Sequence, residues 1–236
     1  RWGADQFGWR MTLEWYAAVA IVVLICCAFG FRRNPPSGVR AQRRERAAPS
    51  AQRIARRHSA FWILGACLAM FNLATFTVVG HLVAFGEERG FAPVAAAALV
   101  SALLGSTLVS RLAVGVLFRI WGTFRVMLAF SLVQVVGITW LAAAQGYGEM
   151  AAAACVVGLG FGGYLPGYAL LAASMFPASE SGRRTSEIYC FGFLSAGVGS
   201  SLGGWLRDAR GGYEATFTAI ALIAWIAIAV LYSQRR

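Results

Sequence analysis

Seven runs of apolar residues follow one another along the chain, separated by polar or glycine-containing stretches that are short except for residues 32–59. A helix needs about twenty apolar residues to cross a hydrocarbon core of about 30 Å. Helices satisfy their own backbone hydrogen bonds there, as the apolar interior requires. The pattern therefore predicts an all-α integral membrane protein with seven transmembrane helices. Their predicted bounds are 11–31, 60–84, 94–118, 124–144, 151–175, 186–205 and 216–233.

The composition agrees with this class. Of 236 residues, 58% are hydrophobic and 13% are charged, whereas a soluble domain has about a quarter charged residues. The chain lacks lysine, so it cannot form the Schiff base of a seven-helix retinal protein. Its five cysteines fall inside apolar runs and form no C-x-x-C pair, which is typical of small buried hydrophobes. With two histidines and no carboxylate at mid-membrane, we predict no metal, no cofactor and no enzyme activity.

One short pattern occurs twice, about two hundred residues apart. Each copy combines an aromatic residue, an aspartate, a glycine and a threonine before an apolar run. The copies are Trp2, Asp5, Gly8, Trp9, Thr12 and Trp205, Asp208, Gly211, Tyr213, Thr216. Repeats of the same orientation are typical of transporters built from two six-helix halves. We therefore expect the first span to close one half, whose other helices are missing from this chain, and the next six to form the second half.

Charge predicts the orientation of the helices. The segment between the first two spans holds nine arginines against one acid, Glu45. Lying between two membrane spans and without interleaved aromatic residues, it is expected to face anionic lipid in the cytoplasm rather than nucleic acid. Fifteen arginines then fall on that side and five on the other, which places the C-terminus in the cytoplasm. The predicted parts are residues 1–31 (last helix of the first half), 32–59 (central loop) and 60–236 (six-helix bundle). Arginine has GC-rich codons and lysine does not, so the absence of lysine favours a GC-rich bacterial genome and, with it, a bacterial inner membrane.

On these features the chain resembles the sixth to twelfth helices of a major facilitator superfamily transporter. Gly115, Arg119, Gly122 and Arg125 are similar to the signature between the eighth and ninth helices of that family. Arg119 stands where the signature usually has aspartate. The stretch from Gly211 to Phe217 resembles the start of the last helix. The resemblance implies a small-molecule substrate, the lipid bilayer as surroundings, and an N-terminal half in the same polypeptide.

Within that superfamily, the bacterial monocarboxylate and oxalate/formate type members are the most similar. The stretch from His81 to Phe85, followed by Arg89 to Ala92, resembles one of their patterns, and Arg111 matches an arginine of their eighth helix. Thr107 stands where the animal monocarboxylate transporters have an aspartate, so the proton-linked pair is incomplete. The resemblance implies a carboxylate substrate with a coupling proton, and it adds Thr107 to the candidate substrate-binding residues.

Four polar residues inside spans are candidates on physical grounds. Arg111 is costly in an apolar span, by about 2.5–3.5 kcal/mol on insertion scales, and it offers a forked cation to a carboxylate. The alternative is that its side chain extends to the nearer membrane edge. His81 could bind substrate, carry a proton, or form an interfacial hydrogen bond. Asn72 and Thr75 share a helix face and could line a pathway or join helices.

The fifth span contains Gly158, Gly160 and Gly163, which match the spacing G-x-G-x-x-G. A dinucleotide site needs those glycines between a strand and a helix, so we expect them to serve helix packing. With Pro166 they would also allow the helix to bend, which suits a rocking transporter.

The favoured function is secondary transport of a small organic solute, with a monocarboxylate as the favoured class, by alternating access. The alternative is drug or metabolite efflux by the same fold. It predicts an aromatic cavity, which could be lined by Phe71, Phe76, Trp140, Tyr164 and Tyr168. A seven-helix receptor or a membrane enzyme is a remote third possibility, because no catalytic cluster is visible.

Overall fold

The computed structural model describes residues 9–30 and 51–234, and all of its regular structure is helical. The seven helices are α1 (Trp9–Gly30), α2 (Ala51–Glu88), α3 (Pro93–Trp121), α4 (Thr123–Ala143), α5 (Tyr147–Met175), α6 (Ala178–Arg210) and α7 (Tyr213–Ser233). The predicted all-α fold is confirmed. Trp2, Asp5 and Gly8 of the first repeat copy and residues 32–50 of the predicted central loop lie outside the described residues.

Helix bounds differ from the prediction mainly at polar ends. α2 begins at Ala51, so residues 51–59 of the predicted loop are helical, and α6 runs from Ala178 to Arg210 rather than 186–205. Hydropathy marks the apolar part of a helix, whereas backbone hydrogen bonding continues into polar residues. The apolar part of α2 does begin at Ser59.

Five of the described helices are long and apolar enough to cross a membrane, namely α2 from Ser59 onward, α3, α4, α5 and α7. In α1 the apolar stretch is the shorter segment Glu14–Cys26. The start of α6 carries four charged residues, Glu180, Arg183, Arg184 and Glu187.

The chain divides into two compact units, residues 1–46 and 47–236. The described part of the first unit is α1. In the second, which we call the six-helix unit, α5 packs between α3 and α4, α2 packs along α6, and α7 lies against α2 and α4. The core is apolar and includes Leu68, Phe71, Met127, Tyr168 and Phe217.

Glycines on two sides of α5 allow its close packing. A Cβ at Gly158 would lie 2.0 Å from the carbonyl oxygen of Leu103 on α3, and one at Gly160 would lie 2.5 Å from the backbone nitrogen of Gln134 on α4. Gly163 likewise meets the ring of Phe130 on α4. The G-x-G-x-x-G spacing therefore serves helix packing in the structure, as small residues do in membranes.

Candidate functional site

Asn72 and Thr75 are fully buried in a polar cluster at the centre of the six-helix unit. The hydroxyl of Tyr164 on α5 donates to Asn72 Oδ1 at 2.8 Å and lies 3.3 Å from Thr75 Oγ1. Gln134 on α4 donates to Thr75 Oγ1, and Thr75 itself donates to the Phe71 carbonyl at 2.7 Å. The cluster therefore joins α2, α4 and α5 by side-chain hydrogen bonds within an apolar core.

Two polar atoms of this cluster have no hydrogen-bond partner among the described residues. They are Asn72 Nδ2 and Gln134 Oε1. Gly192 of α6 packs against that amide nitrogen, since a Cβ there would lie 2.7 Å from it. The cluster therefore keeps one unused donor and one unused acceptor in its buried core.

Arg111 is exposed, and it lies on the side of α3 that the rest of the six-helix unit leaves uncovered, which we call the open side. Its guanidinium carbon is 5.7 Å from the centre of the Phe161 ring on α5, within the range of a cation–π contact. Arg111 forms no ion pair within the part of the chain that the structure describes, so its charge is available to an anion.

The ring beside Arg111 belongs to a continuous line of four aromatic residues, which we call the aromatic strip: Phe161, Phe76, Phe193 and Tyr189. Successive ring centres lie 6.0, 6.4 and 6.1 Å apart. The strip crosses α5, α2 and α6, and its exposure rises from 8% at Phe161 to 56% at Phe193. Arg111 and the aromatic strip thus combine a cation with an apolar, ring-lined surface.

Of the aromatic residues predicted for an efflux cavity, Phe76 lies in the strip and the other four do not. Phe71, Tyr164 and Tyr168 are fully buried against one another. Trp140 is exposed on α4, one residue from Thr139, which accepts a hydrogen bond from Trp225 of α7.

Thr107 does not share the open position of Arg111. It is buried, and its hydroxyl lies 2.9 Å from the Leu103 carbonyl and 3.1 Å from the Gly158 carbonyl. These contacts place the hydroxyl in the seam between α3 and α5, where it holds the two helices together.

His81 lies where three helices meet. Its Nε2 is 2.8 Å from the Ser200 carbonyl oxygen on α6, and its Nδ1 is 3.2 Å from the Tyr213 hydroxyl on α7. A carbonyl only accepts, so Nε2 donates to it, and in the neutral imidazole Nδ1 then accepts from the tyrosine. Gly203 leaves room for the imidazole, since a Cβ there would lie 2.6 Å from the ring. This arrangement favours a helix-joining role for His81.

Arg89 belongs to the same monocarboxylate-type pattern as His81, and it too connects parts of the chain that are distant in sequence. It forms an ion pair with Glu214 of α7 at 3.2 Å and donates to Gln145 in the loop between α4 and α5. Its guanidinium lies 5.1 Å from the centre of the Phe85 ring. The residues at this end of the unit therefore hold the helix ends together.

The signature between α3 and α4 centres on one glycine. Gly122 alone connects the two helices, at φ 83° and ψ 148°, a backbone conformation that is almost confined to glycine. Arg119 and Arg125 are exposed and form no ion pair with the described residues. Gly115 faces open space. The structure explains Gly122, while the conformational role of the others stays a prediction.

Pro166 lies inside α5 without ending the helix. Because proline has no N–H, the carbonyl four residues earlier loses its usual helical donor. The neighbouring Leu165 carbonyl accepts a hydrogen bond from the Tyr189 hydroxyl of α6 at 3.2 Å. Bending at Pro166 remains a prediction.

Sequence reasoning missed Gln134, Phe161, Tyr189 and Phe193. Gln134 carried a usable signal, because it is an amide in the middle of an apolar span. The three aromatic residues carried none, since phenylalanine and tyrosine are frequent in every span. Among the described residues, no group of three or more His, Cys, Asp or Glu side chains could hold a metal ion.

Comparison with known proteins identifies the class. The sequence model described as Major Facilitator Superfamily matches residues 1–145 and 119–236, which together cover the chain. The chain therefore belongs to the major facilitator superfamily, and it is a multi-pass membrane protein.

No curated protein matches the chain in sequence. Among solved structures it is similar to one described as the crystal structure of an auto inhibited POT family peptide transporter. The TM-score is 0.64 at 19% identity, over 74% of this chain and 37% of that one. At this identity the likeness shows the fold, and the chain spans about 37% of the length of that transporter.

Proposed function

We propose that the protein is a secondary transporter that moves a small organic solute by alternating access. This chain would supply the last helix of one half and all of the other half, and the rest of the polypeptide would supply the facing wall. The family match supports transport. The six-helix packing of residues 51–233 supports the assignment of one complete half.

The observation that carries the proposed substrate class is the position of Arg111. It lies ten residues from the end of α3, on the open side of the helix and without an acidic partner among the described residues. A permanently charged, forked donor in an apolar span is costly unless an anion or water compensates it. Guanidinium matches a carboxylate through two parallel hydrogen bonds. We therefore propose a monocarboxylate as the solute.

The proposal also includes the membrane and the orientation of the chain in it. We propose that the C-terminus lies in the cytoplasm, which the arginine bias supports, with lipid around the helices and a bacterial inner membrane as the location. A coupling proton is part of the proposal as well. His81 is poorly suited to carry it, because both of its ring nitrogens already bond to other helices.

The test is uptake of labelled lactate into proteoliposomes that contain the full-length protein. Arg111→Gln removes the charge, Arg111→Lys keeps it without the fork, and Arg210→Gln is the control for loss of one exposed arginine. A hydrogen bond to a charged group contributes about 1.5–3 kcal/mol, or about ten- to a hundredfold in affinity. We expect that loss for Arg111→Gln, a smaller one for Arg111→Lys, and none for the control. Unchanged uptake by Arg111→Gln would remove the anion role.

Efflux of apolar compounds is the second candidate, and the aromatic strip is the observation that favours it. Neutral aromatic compounds would bind to such a surface by ring contacts alone. Outward transport of a neutral dye that is insensitive to Arg111→Gln would favour this candidate over the first.

A further inference from the structure

The arrangement of the aromatic strip limits what shape of carboxylate would fit beside Arg111. Phe161, next to the guanidinium, contacts Phe76 edge to face at an interplanar angle of 83°, and Phe76 contacts Phe193 at 69°. Edge-to-face contact is a preferred geometry of aromatic pairs, and a further ring could extend the series at Phe76 and Phe193.

The strip differs from the packed aromatic residues of the core. Phe71, Tyr164 and Tyr168 are fully buried, so their rings are already covered within the six-helix unit. Phe76 and Tyr189 are half-buried and Phe193 is exposed. Phe161 is 8% exposed and belongs to the core, so Phe76, Tyr189 and Phe193 are the strip rings that keep surface available to an occupant from outside the unit.

Charge decides between two kinds of occupant. A helix from the rest of the polypeptide could cover the rings, but it would need a carboxylate to pair with Arg111 at one end of the strip. A solute with a carboxylate and an adjacent ring satisfies both features with one small molecule. The guanidinium lies 5.7 Å from the centre of the Phe161 ring, and Phe161 contacts Phe76 at 6.0 Å, so the cation and the accessible rings are neighbours.

We infer that the solute is an arylcarboxylate, with its carboxylate on Arg111 and its ring against Phe76 and Phe193. This inference rests on the proposed function and narrows it. A small carboxylate such as acetate or lactate would use only the Arg111 end of the site. The ring contacts would then supply the selectivity.

The experiment measures how well three acids of related shape compete with the uptake of labelled lactate. It uses proteoliposomes that contain the full-length protein. Phenylacetate has the ring, cyclohexylacetate has an apolar body of similar size without aromatic character, and acetate has neither. One aromatic contact contributes about two- to tenfold in affinity beyond its buried area. We expect phenylacetate to compete best, cyclohexylacetate less well by that factor, and acetate weakest.

A matched pair of variants tests whether the ring of the solute binds to the aromatic strip. Phe193→Leu removes an exposed strip ring, so it should fold normally. Phe191→Leu removes an exposed phenylalanine of the same helix that contacts Trp62 instead of the strip. The preference for phenylacetate over cyclohexylacetate should fall about two- to tenfold in Phe193→Leu and stay unchanged in Phe191→Leu.

The possible failures are distinguishable. Equal competition by the three acids, or a preference that survives Phe193→Leu, overturns the arylcarboxylate inference while transport that depends on Arg111 still stands. Equal competition by phenylacetate and cyclohexylacetate also overturns it, since only an apolar body would then be required. Transport insensitive to every acid and to Arg111→Gln overturns the proposed function itself.

Discussion

Gly158→Ala adds one methyl group at a close backbone contact between α3 and α5. A Cβ at this position would lie 2.0 Å from the Leu103 carbonyl oxygen and 2.2 Å from Ser106 Oγ. Ordinary van der Waals contact begins at 3.4 Å. The carbonyl belongs to the backbone of another helix, so the helices themselves must separate by more than 1 Å.

Three effects set the size of the change. Overpacking a fitted core costs about 1–3 kcal/mol. Separation also lengthens the bond between the Thr107 hydroxyl and the Gly158 carbonyl, 3.1 Å in the structure, and such bonds between membrane helices contribute about 0.6 kcal/mol on average. Alanine gains about 0.8–1.0 kcal/mol of helix propensity over glycine. The net loss is therefore about 1–3 kcal/mol.

Thermal unfolding of the purified protein in detergent, followed by circular dichroism, measures this effect. In a chain of this size a loss of about 1–3 kcal/mol lowers the midpoint by about 2–12 °C. Gly148→Ala is the matched control, because it lies in the same helix with open space around it. If both variants unfold at the same temperature, α3 and α5 do not approach each other as closely as described.

The remaining predictions concern the polar cluster and the α3–α4 connection, and the same unfolding assay measures them. Tyr164→Phe removes the hydroxyl that donates to Asn72, so we expect a loss of about 0.6–1.7 kcal/mol, as for hydrogen bonds between membrane helices. Tyr168→Phe is its control, because that buried hydroxyl has no partner among the described residues; equal losses from the two variants would contradict the cluster. Gly122→Ala forces alanine into a conformation with φ 83°, which costs about 1–3 kcal/mol. Gly115→Ala, in a helical position with open space, should be neutral or slightly stabilising, and an equally mild Gly122→Ala would refute the strained connection.

The number and order of helices could be predicted from the apolar runs, because a membrane span must be both helical and about twenty residues long. The helix ends could not. The Ala51 start of α2 and the Ala178 start of α6 lie in polar sequence. Hydropathy does not report helix formation there. In water the backbone can bond to solvent in a loop or to itself in a helix, so a polar sequence allows both.

The candidate site was predictable only where one residue carried the signal. Arg111 and Asn72 stand out because a charge or an amide is costly in an apolar span. The partner of Asn72, Tyr164, is ninety-two positions away, and tyrosine is common in membrane helices. For the same reason His81 could be recognised as polar, while its bonds to Ser200 and Tyr213 could not.

The sequence by itself determined the class of protein, its helices and the unusual charge of Arg111, because each follows from the cost of polar groups in lipid. The tertiary structure decided what each residue faces. Gly158 faces α3 and Gly160 faces α4, and Thr107 is buried between α3 and α5. The tertiary structure also brings Phe161, Phe76 and Phe193 from three helices into one strip beside Arg111. Those contacts depend on how helices distant in sequence rotate and pack, which periodicity within one helix does not specify.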